Sequence, residues 1–127
     1  KPQHTFVGHF IGSPGMNVLP CEVKGGTAVF AGETIAVGNG AHLTGKGRTE
    51  LGVRPEFVSL AKAGIPADVI RVADAGRFRI LETRSHGHSI KLLVKEGETV
   101  PEGRTFLSFD PGYTQVYEDG WMAGARR

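Results

Sequence analysis

The chain is short of features that mark several large classes of protein. It holds a single cysteine, Cys21, so no disulfide can form within it, and a reducing compartment suits it. No apolar run reaches the roughly 18 residues that a membrane-spanning helix needs. The start, Lys1-Pro2-Gln3-His4, has no apolar segment behind it, so no secretory signal is expected there. Charge of one sign is scarce: 15 Lys and Arg against 13 Asp and Glu leave a formal +2 with the histidines neutral. A protein that binds nucleic acid through phosphates carries a dense basic stripe. Here Arg71, Arg77, Arg79 and Arg84 are interspersed with Asp68, Asp74 and Glu82, which suits a solvated face, and no nucleic-acid partner is expected.

What the chain has in quantity is glycine, 19 residues, with seven prolines, spaced between short apolar runs. That pattern predicts many short strands joined by turns. A length of 127 residues fits one domain, able to bury roughly two thirds of its unfolded surface. Phe6, Val7, Phe10 and Ile11 repeat at helical spacing and Gly12-Ser13-Pro14 caps them, so residues 1–14 are expected to be the last turns of a helix. After Pro14 the period changes to two. Leu19, Cys21 and Val23 are expected on one face of a strand that turns at Gly25-Gly26; Val29 and Ala31 fall in a second strand, Ile35 and Val37 in a third. Residues 38–48 are polar and glycine-rich, a loop.

A strand at Leu51-Gly52-Val53 ends at Pro55, and one helical turn is expected before Lys62, with Gly64 and Pro66 breaking the chain. Ile70 and Val72 alternate with Arg71; Phe78 and Ile80 alternate with Arg77 and Arg79; Ile90, Leu92 and Val94 form the cleanest alternation, with Lys91 and Lys95 toward water. Leu107 and Phe109 close the last clear strand. The tail from Tyr113 to Trp121 is expected to pack back through its rings, and residues 123–127 to fray. The expected architecture is all-β, OB-like, a small barrel or barrels that bury the edges of short strands. Residues 15–122 form the domain, and the stretches 16–60 and 67–116 are candidates for related halves without a strict repeat.

Several patterns resemble chemistry. Gly40-Ala-His-Leu-Thr-Gly-Lys-Gly47 matches the first seven positions of a phosphate-binding loop. That loop also needs a hydroxyl after the lysine to hold magnesium and a helix whose N-terminus faces the phosphates. Gly47 replaces the hydroxyl and a strand follows, so a mobile surface loop is expected instead. His86 and His88 flank Gly87 and could contact one metal, but zinc sites take at least about three protein ligands and no Cys-x-x-Cys or Glu-x-x-His partner lies nearby; a polar hairpin turn is expected. Cys21 lies in an apolar alternation and suits a core thiol. Ser59, Ser85 and Ser108 lack the glycine context of a nucleophile elbow. Trp121, Tyr113 and Tyr117 offer a stacking platform or, more simply, core cover. No catalytic, cofactor or metal residue is assigned.

The stretch Thr-Glu-Leu-Gly-Val-Arg-Pro-Glu-Phe-Val (Thr49–Val58), with Phe6–Leu19, Ala67–Phe78, Glu96–Gly103 and Phe109–Tyr117, resembles the C-terminal TOBE-type regulatory domain of ATP-binding subunits of bacterial ABC importers for sugars, polyols or glycerol-3-phosphate. Phe57, Ala75-Gly76 and Gln115-Val116-Tyr117 depart from residues common there. The resemblance implies paired OB-type barrels without hydrolysis, ATP and Mg being held by a nucleotide-binding domain outside this chain. It implies a cytoplasmic place on the inner face of the membrane, beside permease subunits. It also implies a homodimer of the ATP-binding subunit and, in some relatives, docking of a regulatory protein. Within the motif Gly52, Val53, Arg54, Pro55 and Glu56, proline fixes its own φ and extends Arg54. Arg54 and Glu56 are expected to anchor that corner by charge-assisted hydrogen bonds. The motif is expected to be structural. An alternative function is a small-ligand or oxyanion-sensing TOBE domain, with glycine-rich turns as anion nests, although Gly15-Met16-Asn17-Val18 stands where such binders carry Ser-Ala-Arg-Asn. A third, single-strand nucleic-acid binding, would need a basic groove with interleaved aromatics.

Overall fold

A computed structural model describes residues 15–124. The helix expected over residues 1–14, and residues 125–127 of the tail, lie outside the described residues. The rest is all-β: twelve strands and three single 3₁₀ turns. The strands are β1 (Asn17–Pro20), β2 (Glu22–Lys24), β3 (Thr27–Phe30), β4 (Glu33–Ala36), β5 (Thr49–Val53) and β6 (Val58–Ala61), then β7 (Ile65–Ala75), β8 (Phe78–Ser85), β9 (His88–Lys95), β10 (Arg104–Phe109), β11 (Thr114–Glu118) and β12 (Trp121–Met122). They form a sheet in the order β1-β5-β11-β12, a second in the order β6-β10-β7-β8-β9, and a three-stranded meander β2-β3-β4. The second sheet curls until its edges, β6 and β9, touch. Such curling hides strand edges, as OB-like barrels do.

The suspected halves are real in topology. In the first, β1 pairs with β5 and the meander β2-β3-β4 lies between them in sequence; in the second, β6 pairs with β10 around the meander β7-β8-β9. Cys21 N–H donates to the Thr49 carbonyl at 3.1 Å, and Val69 N–H to the Gly103 carbonyl at 2.8 Å, so the residue before β2 is tied to β5 and β7 is tied to the residue before β10. Each half ends in a proline-led 3₁₀ turn, Pro55–Phe57 and Pro111–Tyr113, and hands over to a strand. Arg-Pro-Glu-Phe and Asp-Pro-Gly-Tyr are therefore equivalent corners, too different in side chains to show as a repeat in sequence.

The register corrects several expectations. Leu19 and Cys21 do not share one strand: β1 ends at Pro20 and β2 joins a different sheet, leaving Cys21 between them, half-buried. In β3 the inward residues are Ala28 and Phe30, so Val29 faces the other way. Ala31, expected in the strand, takes φ 51° and turns the chain with Gly32. After Pro55–Phe57 the chain extends as β6 rather than completing a longer helical turn. Pro66 lies inside β7, near its start, where a missing N–H does least harm. Ile70 and Val72 are exposed, because a register shift between Val69 and Arg71 carries the distal part of β7 beyond the core.

A single core runs through both halves: Leu19, Leu51 and Val116 from the first sheet, Leu81, Leu92 and Leu107 from the second, with Ala28, Phe30 and Ile35 from the meander. Two buried asparagines replace strand neighbours where sheets meet. Asn17 Nδ2 donates to the Lys91 carbonyl at 2.8 Å and its Oδ1 accepts from Lys91 N–H at 2.9 Å, sealing part of the β9 edge. Asn39 does the same for β11, donating to the carbonyls of Val116 and Ala123 and accepting from Val116 N–H. The tail is thereby tied down through Ala123, and Gly124 sits so close to His42 that a Cβ there would lie 2.4 Å from its ring. Fraying does not begin at Ala123.

Candidate functional site

The outward face of the first sheet carries the motif. β1, β5 and β11 put Val18, Gly52 and Gln115 in one row, and Glu50 and Tyr117 in the next. Gly52 is a glycine because of that second row: a Cβ would stand 2.5 Å from Met16 Sδ and 2.8 Å from Tyr117 Cε1. Gly52 lies in the wall of a cleft of about 200 Å³ lined also by Met16, Arg54, Phe57, Tyr113 and Gln115, with Tyr117 and Met122. Tyr117 is 1% exposed although it lies on the outer face, because β12 folds Met122 back beside it. Burial pushes its phenol above the usual range, and the nearby Arg54 guanidinium opposes that rise without cancelling it.

The two proline corners meet at this cleft. Phe57 and Tyr113, equivalent residues of the two halves, stack with ring centroids 3.9 Å apart and planes 3° from parallel. Arg54 precedes the first turn in extended conformation, its carbonyl accepting from Phe57 N–H at 2.9 Å; Asp110 does the same for Tyr113 and also caps Gly112 N–H with its carboxylate. Of the motif, Val53 is core, Pro55 starts the 3₁₀ turn, Arg54 is half-buried and Glu56 is exposed. Of the three tail aromatics, Tyr113 stacks on Phe57 and Tyr117 covers Gly52, while Trp121 sits opposite Glu118 on β12.

The phosphate-loop look-alike is closed to anions. Glu118 accepts from Thr44 N–H at 2.8 Å, Thr44 Oγ1 at 2.9 Å and Gly45 N–H at 2.9 Å, and Asp119 accepts from Arg48 N–H at 2.9 Å. A side chain at Gly47 would run into the Asp119 carboxylate. Glu118 takes two amides of the look-alike and Asp119 the amide just after it, and strand β5 follows where a helix would be needed. This loop is pinned, not loose.

His86 and His88 lie edge-on to Phe30 at 5.9 and 5.7 Å, clasping the meander onto the β8–β9 hairpin, and His86 with Gly87 forms the tight turn at φ 49° and 82°. Among the described residues no group of three His, Cys, Asp or Glu is placed to hold a metal. Burial pushes the Cys21 thiol up to about 11, with the neighbouring Glu50 adding to the rise and a hydrogen bond from Thr49 opposing it; the thiolate a nucleophile needs is disfavoured. Ser85 is buried and donates to the Pro66 carbonyl at 2.7 Å; Ser59 and Ser108 face each other across β6 and β10. Sequence reasoning missed Asn17, Asn39, Glu118 and Asp119, whose partners lie 71 to 84 residues away.

Comparison with known proteins agrees with this architecture. Residues 12–58 match the family described as the MalK OB fold domain. The chain is 32% identical to the ABC transporter ATP-binding protein y4oS of Sinorhizobium fredii, over 99% of this chain and 35% of that protein. It is 29% identical to an sn-glycerol-3-phosphate import ATP-binding protein of Jannaschia, over 92% of this chain and 34% of that protein. A Paraburkholderia xenovorans protein of the same description is 39% identical over 68% of this chain and 26% of its own length. The chain thus spans about a third of the length of the relatives it matches along most of its own. Among solved structures, the cytoplasmic molybdate-binding protein ModG, with molybdate bound, superposes with a TM-score of 0.62 over 80% of this chain and 95% of that one. At 11% identity that likeness shows the fold alone.

Proposed function

This chain carries a MalK-type OB fold and is homologous along its length to ATP-binding proteins of bacterial ABC transporters; from that premise we propose that it is the non-catalytic regulatory and pairing domain of the ATP-binding subunit of a carbohydrate-type importer. In the intact protein, ATP hydrolysis coupled to solute uptake belongs to a nucleotide-binding domain that holds ATP and Mg. Residues 1–14 lead from that domain, and residues 15–124 form the regulatory unit, Ala123 being tied into it by Asn39. The subunit lies on the cytoplasmic face of the membrane, pairs with a second copy, meets the permease through the nucleotide-binding domain and can receive a regulatory protein. The descriptions of several relatives as sn-glycerol-3-phosphate import proteins support the solute class.

The observation that carries the non-catalytic reading is the loop 40–48, where the Thr44 and Gly45 amides are taken by the chain's own Glu118 and the Arg48 amide by Asp119. Hydrolysis assays test it. The chain alone should neither bind nor hydrolyse ATP, and deleting the matching segment from an intact subunit should loosen subunit pairing while leaving basal hydrolysis measurable. Loss of hydrolysis in a deletion variant that remains folded contradicts the assignment.

Gly52, Val53, Arg54, Pro55 and Glu56 serve as scaffold in this reading: one residue lets Met16 and Tyr117 close onto the strand, one is core, and the rest turn the corner. Arg54→Ala should lower the melting temperature. An unchanged melt together with lost pairing would move Arg54 to a partner interface.

One observation favours a second reading, an oxyanion sensor: Gly15, Met16, Asn17 and Val18 line a shared cleft with Ser89 and Lys91. Millimolar molybdate or phosphate that raises the melting temperature, with the rise lost in Lys91→Ala, would support it.

A further inference from the structure

The distal half of β7 is an open strand edge. β10 pairs with β7 only from Ile65 to Asp68, and the last bond on that side runs from Val69 N–H to the Gly103 carbonyl. Past the register shift at Val69/Arg71, among the described residues, Ile70–Ala75 pairs with β8 alone and every residue of it is exposed. The described residues include five exposed large hydrophobics, and this hairpin holds three: Ile70 at 52%, Val72 at 42% and Phe78 at 42%.

The unfinished row on the core side of the sheet says what would complete it. Leu92 of β9 stands opposite Leu81 of β8, which stands opposite Val72 of β7. Leu92 and Leu81 are fully buried, and the row then runs out at Val72 with nothing beyond it. The two-residue turn at Gly76-Arg77 makes Ala75 and Phe78 a hydrogen-bonded pair. Alternation then points the N–H and C=O of Val72 and Asp74 away from β8, toward the open side. The edge carries no proline and no lysine, the usual guards against pairing. Its charges are matched within the hairpin: Arg71 bonds Glu82 at 3.1 Å, and Asp74 lies opposite Arg79.

We propose that a second copy of this chain adds to the sheet here, antiparallel, with the two-fold axis at Val72. A self-paired strand must place some residue opposite its own counterpart. Val72 is the residue whose free backbone groups and half-covered side chain both face the junction. The row then reads Leu92, Leu81, Val72 and back through Val72, Leu81 and Leu92 of the partner subunit, apolar throughout. Asp74 falls opposite Ile70 of the partner subunit, so no like charges meet. The inference rests on the pairing role proposed above and gives that role a surface.

Sedimentation of the chain over a concentration series, with Val72→Lys beside it, tests this. Val72 is exposed enough that lysine leaves the fold intact, which a thermal melt checks, but it sets like charges opposite each other at the axis. The expected result is a reversible dimer whose dissociation constant rises at least about tenfold in Val72→Lys. In a Cys21→Ser background, Val72→Cys should cross-link to its counterpart under diamide, since a hydrogen-bonded antiparallel pair spaces its Cα atoms about 5.5 Å apart, within disulfide reach. Arg77→Cys at the turn should not. A dimer indifferent to Val72→Lys, or Val72→Cys that fails to cross-link, overturns the edge pairing and leaves the proposed function standing. A monomer at every concentration overturns both the edge pairing and the pairing role of this domain.

Discussion

Replacing Asn39 by alanine removes the one side chain that closes β11 against the tail. Asn39 is 5% exposed and makes three hydrogen bonds: to the Val116 carbonyl at 2.8 Å, to the Ala123 carbonyl at 3.0 Å, and from Val116 N–H at 2.9 Å. The Val116 carbonyl keeps a second partner in Ala123 N–H at 3.0 Å. The Val116 N–H and the Ala123 carbonyl are left without theirs, and Val116 is fully buried. An orphaned buried group costs about 1–3 kcal/mol, so the loss is about 3 kcal/mol. For a domain of this size that lowers the melting temperature by on the order of 10 °C. Asn39→Asp sharpens the test, because its carboxylate still accepts from Val116 N–H but turns acceptor against two carbonyls. It should be at least as damaging at neutral pH. Circular dichroism melts of the two variants beside the parent chain suffice. Melts of both within about 2 °C of the parent would refute the role given to Asn39.

Gly52→Ala should cost about 1–3 kcal/mol through its collision with Met16 and Tyr117; adding Met16→Ala should recover only part, since the Tyr117 ring remains, and urea titrations measure both. Glu118→Ala should free the loop 43–48, seen as lost amide-exchange protection at Thr44 and Gly45 and faster proteolysis there, while the global melt moves by a few degrees or less. Cys21 ionises at about 11 when folded against 9.0 unperturbed. Folding therefore favours the neutral thiol, and stability present below pH 9 drains away as the pH rises toward 11. At pH 8 its labelling by a disulfide reagent should be at least about tenfold slower than that of the unfolded chain, the loss of thiolate outweighing the greater nucleophilicity of a higher-pKa thiolate.

The legible parts of this fold were those in which neighbours in sequence are neighbours in space. Single glycines and one glycine pair placed the hairpin turns, the alternation Ile90, Leu92, Val94 gave the inward face of β9, and the change of period after Pro14 marked the β domain. Faces were lost wherever tertiary context chose between two apolar sets, as in β3, where Phe30 faces the core and Val29 does not. Ile70 and Val72 alternate as a core strand would, but the bulge and the end of β10 leave them uncovered. At the cleft, the motif was visible from Gly52 to Glu56, and its meeting with Tyr113 and Tyr117 was not, because the second proline corner shares only the proline and an aromatic with the first. The carboxylates that silence the phosphate-loop look-alike lie more than seventy residues along the chain, beyond what any local pattern encodes.

The assignment as a pairing domain is tested most directly by the mass of the purified chain in solution across a concentration series. A mass that rises from monomer to dimer with concentration is the expected result, and it places a pairing surface on this domain. A strict monomer at all concentrations contradicts that assignment and moves the pairing of the subunits to their nucleotide-binding domains.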